Sequence, residues 1–216
     1  MNYLSVEGLS KSYGIKTLFS DVTFGIEKGD KTALIASNGS GKSTMLKIIV
    51  GKESMDSGTV TFANGIRVGY LEQLPQYAPD LTIQDVESYS HVELMRVVGR
   101  YQKALREHTD ETNKTTKADL ELAIAEMDAM EAWSYEQRMV QMLTRFDLVD
   151  LQLRIGELSG GQVKRLALAM VLLDDPDLLI LDEPTNHLDV EMVEWLEKYL
   201  SQSSVTLLMV THDRYF

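Results

Sequence analysis

The sequence predicts an α/β protein: a parallel core sheet with helices, an N-terminal antiparallel β part, and a helical subdomain inserted between them. Three observations predict it. Short apolar, β-rich runs punctuated by Gly fill the first third, and a charged, helix-forming stretch almost without Gly or Pro runs from Gln84 to about Leu153. The last third returns to continuous apolar strands separated by a helix. Strand, helix, strand with apolar strands throughout implies a covered parallel sheet.

The elements follow in order. Leu4–Val6, Val22–Ile26, Thr32–Ile35, Thr59–Phe62 and Ile66–Leu71 read as short strands. Between the last two lies Ala63-Asn64-Gly65, whose Asn-Gly pair favours a tight hairpin turn and so a meander. The stretch His108–Lys117 holds Asp110-Glu111-Thr112-Asn113-Lys114-Thr115-Thr116, with no apolar periodicity, so the middle region reads as helix, turn, helix. Leu178–Leu181 and Val205–Val210 are the buried strands of the last third, with a helix from about Val190 to Leu200 between them.

Composition excludes several function classes. With 33 acidic against 21 basic side chains the 216-residue chain carries a net charge of −12, so most of its surface repels a polyanion and any nucleic-acid contact must be local. Hydrophobic residues at 44% and charged residues at 25% suffice for a sizeable core and exclude disorder and fibres. No run approaches the ~18 apolar residues of a membrane span. Met1-Asn2-Tyr3-Leu4-Ser5-Val6-Glu7 has neither a basic region nor an apolar stretch, so the expectation is a chain neither secreted nor membrane-spanning. The absence of Cys removes disulfides, thiolate nucleophiles and thiolate metal sites, which suits the cytosol.

Three motifs carry chemistry. Ala36-Ser37-Asn38-Gly39-Ser40-Gly41-Lys42-Ser43-Thr44 lies between an apolar strand and a helical run, where a phosphate-binding loop belongs. Its small residues let successive backbone N–H groups turn onto a polyphosphate, Lys42 adds a point charge, and Ser43 can ligate Mg²⁺. The pattern G-x-x-x-x-G-K-[ST] asks for Gly where this chain has Ala36, and taken alone the stretch is also compatible with an ordinary Gly-rich turn. Leu178-Leu179-Ile180-Leu181-Asp182-Glu183-Pro184 delivers two carboxylates at a strand end: Asp182 for Mg²⁺ or its water, Glu183 to polarise an attacking water. Alone, such a pair can equally face solvent or cap the next element. In Leu158-Ser159-Gly160-Gly161-Gln162, Ser159 fits a helix N-cap and the glycine N–H groups offer an anion site, although Ser-Gly-Gly is also a flexible turn.

The order of the phosphate loop, Gln73, Leu158–Gln162, Asp182-Glu183, Asp189 and His212 resembles the nucleotide-binding domain of ATP-binding cassette (ABC) proteins over essentially the whole chain. Glu183-Pro184-Thr185-Asn186-His187-Leu188-Asp189 and Thr211-His212-Asp213-Arg214-Tyr215-Phe216 are similar to the ABC-F subfamily, whose members lack membrane domains and carry two cassettes. The chain resembles the first of these, cut short. The resemblance implies an ABC-type P-loop NTPase core with ATP and Mg²⁺ as cofactors. It implies that Tyr13 stacks on adenine, that Asn38, Gly39, Ser40, Gly41, Lys42, Ser43 and Thr44 hold the phosphates, and that Ser43, Gln73 and Asp182 attend the metal. Glu183 then acts on the water, Gln73 senses metal and water, and His212 meets the γ-phosphate. Ser159, Gly160, Gly161 and Gln162 would complete the site of a second cassette packed head to tail, with Asp189 at that interface and His187 positioning its loop. An isolated cassette is expected to turn over weakly or not at all.

The expected organisation is 1–83 for the β part and phosphate-loop core, 84–153 for the helical subdomain, and 154–216 for the signature helix and the strands completing the core. Roughly 85 residues separate Gln73 from Leu158, a length that resembles the helical-hairpin arm of ABC-F proteins, which in family members reaches toward transfer and ribosomal RNA. Arg96, Arg100, Lys103 and Arg106 fall close to one helix face, a stripe that can meet phosphates or pair with the acidic second helix of Asp119, Glu121, Glu126, Asp128 and Glu131. Met127, Met130, Met139 and Met142 read as adaptable core packing. The leading expectation is a cytoplasmic ATPase acting on the ribosome, as translation factor or antibiotic-resistance protein. The alternative is a subunit energising a separate membrane transporter.

Overall fold

The structure is a computed structural model that describes residues 1–35, 39–88, 93–108, 114–186 and 188–211. Its strands are β1 (Asn2–Tyr13), β2 (Lys16–Glu27), β3 (Lys31–Ile35), β4 (Ser57–Phe62), β5 (Val68–Leu71), β6 (Leu178–Asp182) and β7 (Thr206–Thr211). Its helices are α1 (Lys42–Ile49), α2 (Ile83–Ser88), α3 (Glu93–Glu107), α4 (Lys114–Ala129), α5 (Trp133–Arg145), α6 (Gly160–Leu173) and α7 (Val190–Gln202). Contacts divide the chain into two units, Met1–Pro75 with Asp174–Phe216 and Gln76–Leu173. The unit Gln76–Leu173 includes α6, which packs on α5. Among the described residues no helix is long and apolar enough to cross a membrane.

The first unit holds both sheets. One is antiparallel, in the order β2-β1-β4, and the other is parallel, in the order β3-β7-β6-β5. β6 and β7 are buried at every residue, as strands covered on both faces must be. Buried side chains of β1 (Leu4, Val6, Leu9), α1 (Leu46, Ile48, Ile49), β6 (Leu178, Ile180) and β7 (Leu208, Val210) form one cluster. Each such side chain contributes about 1.5–3 kcal/mol relative to exposure, so α1 is held firmly.

The meander expected around Asn64-Gly65 is not formed. β4 pairs with β1, with Val60 opposite Val6, whereas β5 pairs with β6, with Tyr70 opposite Ile180, so residues 63–67 cross between sheets. A turn-favouring dipeptide reverses the chain locally but does not choose its partners. The hairpin lies instead between β1 and β2, each 12 residues long. Their polar, exposed alternate positions concealed that length from the apolar pattern.

In the helical unit α3 packs against α4, and the turn expected between them at 109–113 lies outside the described residues. The polar residues 114–117 belong to α4 rather than to the turn, since a first helical turn can form without apolar periodicity. Met127 and Met139 are fully buried, and Met130 is exposed. A buried glutamine ties three segments together: Gln84 donates to Gln102 of α3 at 2.9 Å and accepts from Gln152 at 3.0 Å. Three residues of the basic stripe are engaged in ion pairs. Arg96 pairs with Glu93, Arg100 with Glu126 of α4 at 2.8 Å, and Lys103 with Glu107 at 4.0 Å.

Candidate functional site

The first unit contains a cleft of about 480 Å³ lined by Tyr13, Leu18, Gly39, Gly41, Lys42, Ser43, Thr44, Gln73 and Glu183. These come from the end of β1, the start of β2, the loop into α1, the segment after β5 and the end of β6. Parallel sheets present ligand sites at the C-terminal ends of their strands, and Gln73 and Glu183 lie there, just past β5 and β6.

The phosphate loop ends as its motif requires. Gly41 is the N-cap of α1 at φ 93°, a left-handed value that L side chains rarely adopt. A Cβ there would lie 3.0 Å from Leu18 Cβ and 3.1 Å from Phe19 Cδ1. α1 therefore opens at the cleft with Lys42, Ser43 and Thr44 in its first turn, where the positive end of the helix dipole favours an anion. The Ser40 hydroxyl is buried without a hydrogen-bond partner among the described residues, an acceptor-seeking group beside that anion site. Ala36, Ser37 and Asn38 lie outside the described residues.

Asp182 closes β6 and is wholly buried, while Glu183, one residue on, lines the cleft. Glu183 has a φ of 49°, which costs an L-residue about 1–2 kcal/mol. Hydrogen bonds hold it there: its N–H donates to the Val210 carbonyl at 2.9 Å, and Asn186 Nδ2 donates to its Oε2 at 2.5 Å. Strain kept in place at a carboxylate beside a cleft is a mark of function. The donors fit Mg²⁺. Among the described residues no cluster of three or more acids or histidines could cage a metal, and the Ser43 hydroxyl, Gln73 amide and Asp182 carboxylate offer the few hard oxygens that suffice when phosphates supply the rest.

Tyr13 donates its hydroxyl to Glu53, and that bond holds the phenol above its ordinary pKa and the Glu53 carboxyl below its own. Burial, with Asp182 and Glu72 nearby, also pushes the Tyr70 phenol upward.

Other expected residues fall elsewhere. Asp189 caps α7, its Oδ1 accepting from Met192 N–H at 2.8 Å. In the helical unit Ser159 caps α6 as read from the sequence: its Oγ accepts from Gln162 N–H at 3.2 Å, and Gln162 Oε1 accepts from Ser159 N–H at 2.9 Å. This reciprocal pair leaves the N–H groups of Gly160 and Gly161 outside it, at the helix start. His187 and His212 lie outside the described residues. Leu18, Lys11 and Glu53 were not foreseen. Lys11 shares a strand face with Tyr13 by its spacing, which was a usable signal, whereas Leu18 and Glu53 carried none.

A family model described as ABC transporter matches residues 19–186. The chain belongs to the ABC transporter family. This cassette is 43% identical over 217 residues to the uncharacterized ABC transporter ATP-binding protein YfmR of Bacillus subtilis, covering 100% of the chain and 34% of that protein. It is 37% identical over 219 residues to the tylosin resistance ATP-binding protein TlrC of Streptomyces fradiae, covering 99% of the chain and 40% of that protein. Against the energy-dependent translational throttle protein EttA of Mycobacterium tuberculosis it is 32% identical over 212 residues, 98% of the chain and 38% of that protein. The cassette thus spans about a third to two-fifths of these relatives' length. An ATP-binding subunit of an ABC transporter shares the fold with a TM-score of 0.65 at 23% identity, over 97% of this chain and 79% of that one. A dimeric cassette in a post-hydrolysis state with ADP and phosphate does so with a TM-score of 0.64 at 20% identity, over 97% and 88%.

Proposed function

We propose that the cassette binds Mg-ATP in the Tyr13–Lys42–Glu183 cleft and hydrolyses it when a second cassette closes on it head to tail. We read it as the first cassette of an ABC-F protein acting in the cytoplasm on the ribosome, as a translation factor or a protector against antibiotics. The observation that carries the nucleotide reading is the convergence of Tyr13, Lys42, Ser43, Gln73 and Glu183, from distant stretches, on one cleft.

In this reading Tyr13 stacks on the base, while Lys42 and the first turn of α1 hold the phosphates. Asn38, Gly39, Ser40, Gly41 and Thr44 complete the cradle. Ser43, Gln73 and Asp182 would hold Mg²⁺, which supplies charge neutralisation to the phosphates when bound. Glu183 orients a water and accepts its proton, and His212 faces the γ-phosphate. Ser159, Gly160, Gly161 and Gln162 serve the nucleotide of the second cassette, with the glycine N–H groups as donors and the Ser159–Gln162 pair holding them in place. Asp189 anchors α7 near that interface.

The ribosomal target is supported by the names of two relatives, one conferring tylosin resistance and one a translational throttle. It is supported also by Arg96, Arg100 and Lys103, whose ion pairs are half-exposed. Such pairs are worth about 0–1 kcal/mol and exchange readily for RNA phosphates. The second reading, a subunit energising a membrane transporter, is supported by the family's description.

Calorimetry of Mg-ATP against the chain and Lys42→Ala tests the nucleotide site, with binding about 10–100-fold weaker in the variant for loss of a charge-assisted contact. Turnover rising more than linearly with protein concentration is the expected sign that two cassettes complete the site. Co-sedimentation with ribosomes in the presence of ATP supports the ribosomal reading, and its absence favours the transporter.

A further inference from the structure

Tyr13 is 49% exposed, and an exposed tyrosine at a strand end ordinarily samples several rotamers. This one is held at its hydroxyl and over its ring. Its hydroxyl donates to Glu53, and Lys11 Nζ stands over its ring, 5.1 Å from the centroid. Lys11 is itself only 6% exposed. Its ammonium donates to the Ser54 carbonyl at 2.6 Å and lies 3.5 Å from Glu53 Oε1.

The segment that supplies these groups is fastened on both sides. Ser12 N–H donates to Asp56 Oδ2 at 2.7 Å, and Asp56 N–H donates back to the Ser10 carbonyl at 3.0 Å. The N–H groups of Lys52 and Glu53 both return to the Lys47 carbonyl in the last turn of α1, at 2.8 and 3.3 Å. α1 therefore carries the phosphate loop at one end and, just past the other, the clamp on Tyr13.

We propose that Lys11 and Glu53 are positioning residues for the base of the bound nucleotide: they lock the Tyr13 ring in one orientation, cover one face with an ammonium, and leave the opposite face to stack. The inference rests on the reading that the cleft holds a nucleoside triphosphate. A cation on one face of the ring selects a flat, uncharged aromatic partner for the other and disfavours a second cation. Mutual fixing of ring, carboxylate and ammonium means that the order is already present before the ligand arrives, so little rotamer entropy is lost on stacking.

The test separates base from phosphates. Mg-ATP and Mg-tripolyphosphate, which has no base, are titrated calorimetrically into the native chain, Glu53→Ala, Glu53→Gln and Lys11→Met, with thermal melting of each. Glu53→Ala and Lys11→Met are expected to bind ATP about three- to tenfold more weakly, with tripolyphosphate affinity unchanged. Glu53→Gln keeps an acceptor oxygen for the Tyr13 hydroxyl and is expected to recover part of the loss. Should Lys11→Met fail to fold, the Glu53 pair of variants decides alone. ATP affinity unchanged in Glu53→Ala would overturn the proposal, as would equal loss for ATP and tripolyphosphate, which would mean that the clamp merely supports the fold. A native chain that binds tripolyphosphate and ATP equally well would also overturn it while leaving the phosphate site intact. If the native chain binds neither, the nucleotide reading itself fails and the proposal falls with it.

Discussion

Gly41→Ala probes the join between phosphate loop and helix. The residue sits at φ 93°, and the added methyl would lie 3.0 Å from Leu18 Cβ and 3.1 Å from Phe19 Cδ1. Left-handed backbone costs an L-residue about 1–2 kcal/mol, and forcing a methyl into packed β2 side chains adds about 1–3 kcal/mol. The total is about 2–5 kcal/mol, which for a chain of this size lowers Tm by about 4–20 °C. Gly39→Ala is the control, because Gly39 also has a positive φ, 75°, yet nothing lies within 4 Å of its would-be Cβ. It should show only the backbone cost, about 1–2 kcal/mol. The assay is thermal unfolding by circular dichroism with Mg-ATP calorimetry alongside. Because Leu18 also lines the cleft, Gly41→Ala should weaken ATP binding more than Gly39→Ala does. If Gly41→Ala melts no lower than Gly39→Ala, the argument from close approach is refuted.

Three further outcomes are expected. Glu183→Gln keeps an amide oxygen for Asn186 and should retain ATP binding while hydrolysis falls about 100-fold or more, the usual contribution of a general base; equal hydrolysis rates in a single-turnover assay would remove Glu183 from that role. Asp189→Ala removes the cap on Met192 N–H and should cost about 1 kcal/mol in denaturant unfolding without altering ATP affinity. Asp85 is held below its ordinary carboxyl value of 3.8, first by the Thr82 N–H, then by the Thr82 hydroxyl and the positive charges of Arg106 and Lys103. A depressed folded-state pKa gives stability that is full above the unfolded value and lost as pH falls through the folded one. Asp85→Asn should therefore show a shallower loss of stability than the native chain on acidification from neutral pH, and parallel curves would count against it.

What the sequence determined by itself was local. The helix that follows the Gly-rich loop, Ser159 as the cap of α6, and the buried, largely apolar β6 and β7 were all legible, because each depends on residues within a few positions of one another. The α/β class followed from those strands. Tertiary structure alone decided the rest. Asn64-Gly65 was compatible with a hairpin, but β4 found β1 and β5 found β6, choices made by packing around α1 and not by the turn. The stripe of Arg96, Arg100 and Lys103 was open between phosphates and carboxylates until α4 placed Glu126 within 2.8 Å of Arg100. Tyr13, Gln73 and Glu183 are distant in sequence and share a cleft only because two sheets are assembled around one helix. Lys11 and Glu53 gained a role through the same assembly: the loop after α1 folds back onto the end of β1, and a buried ammonium beside an aromatic ring exists only once that contact is made.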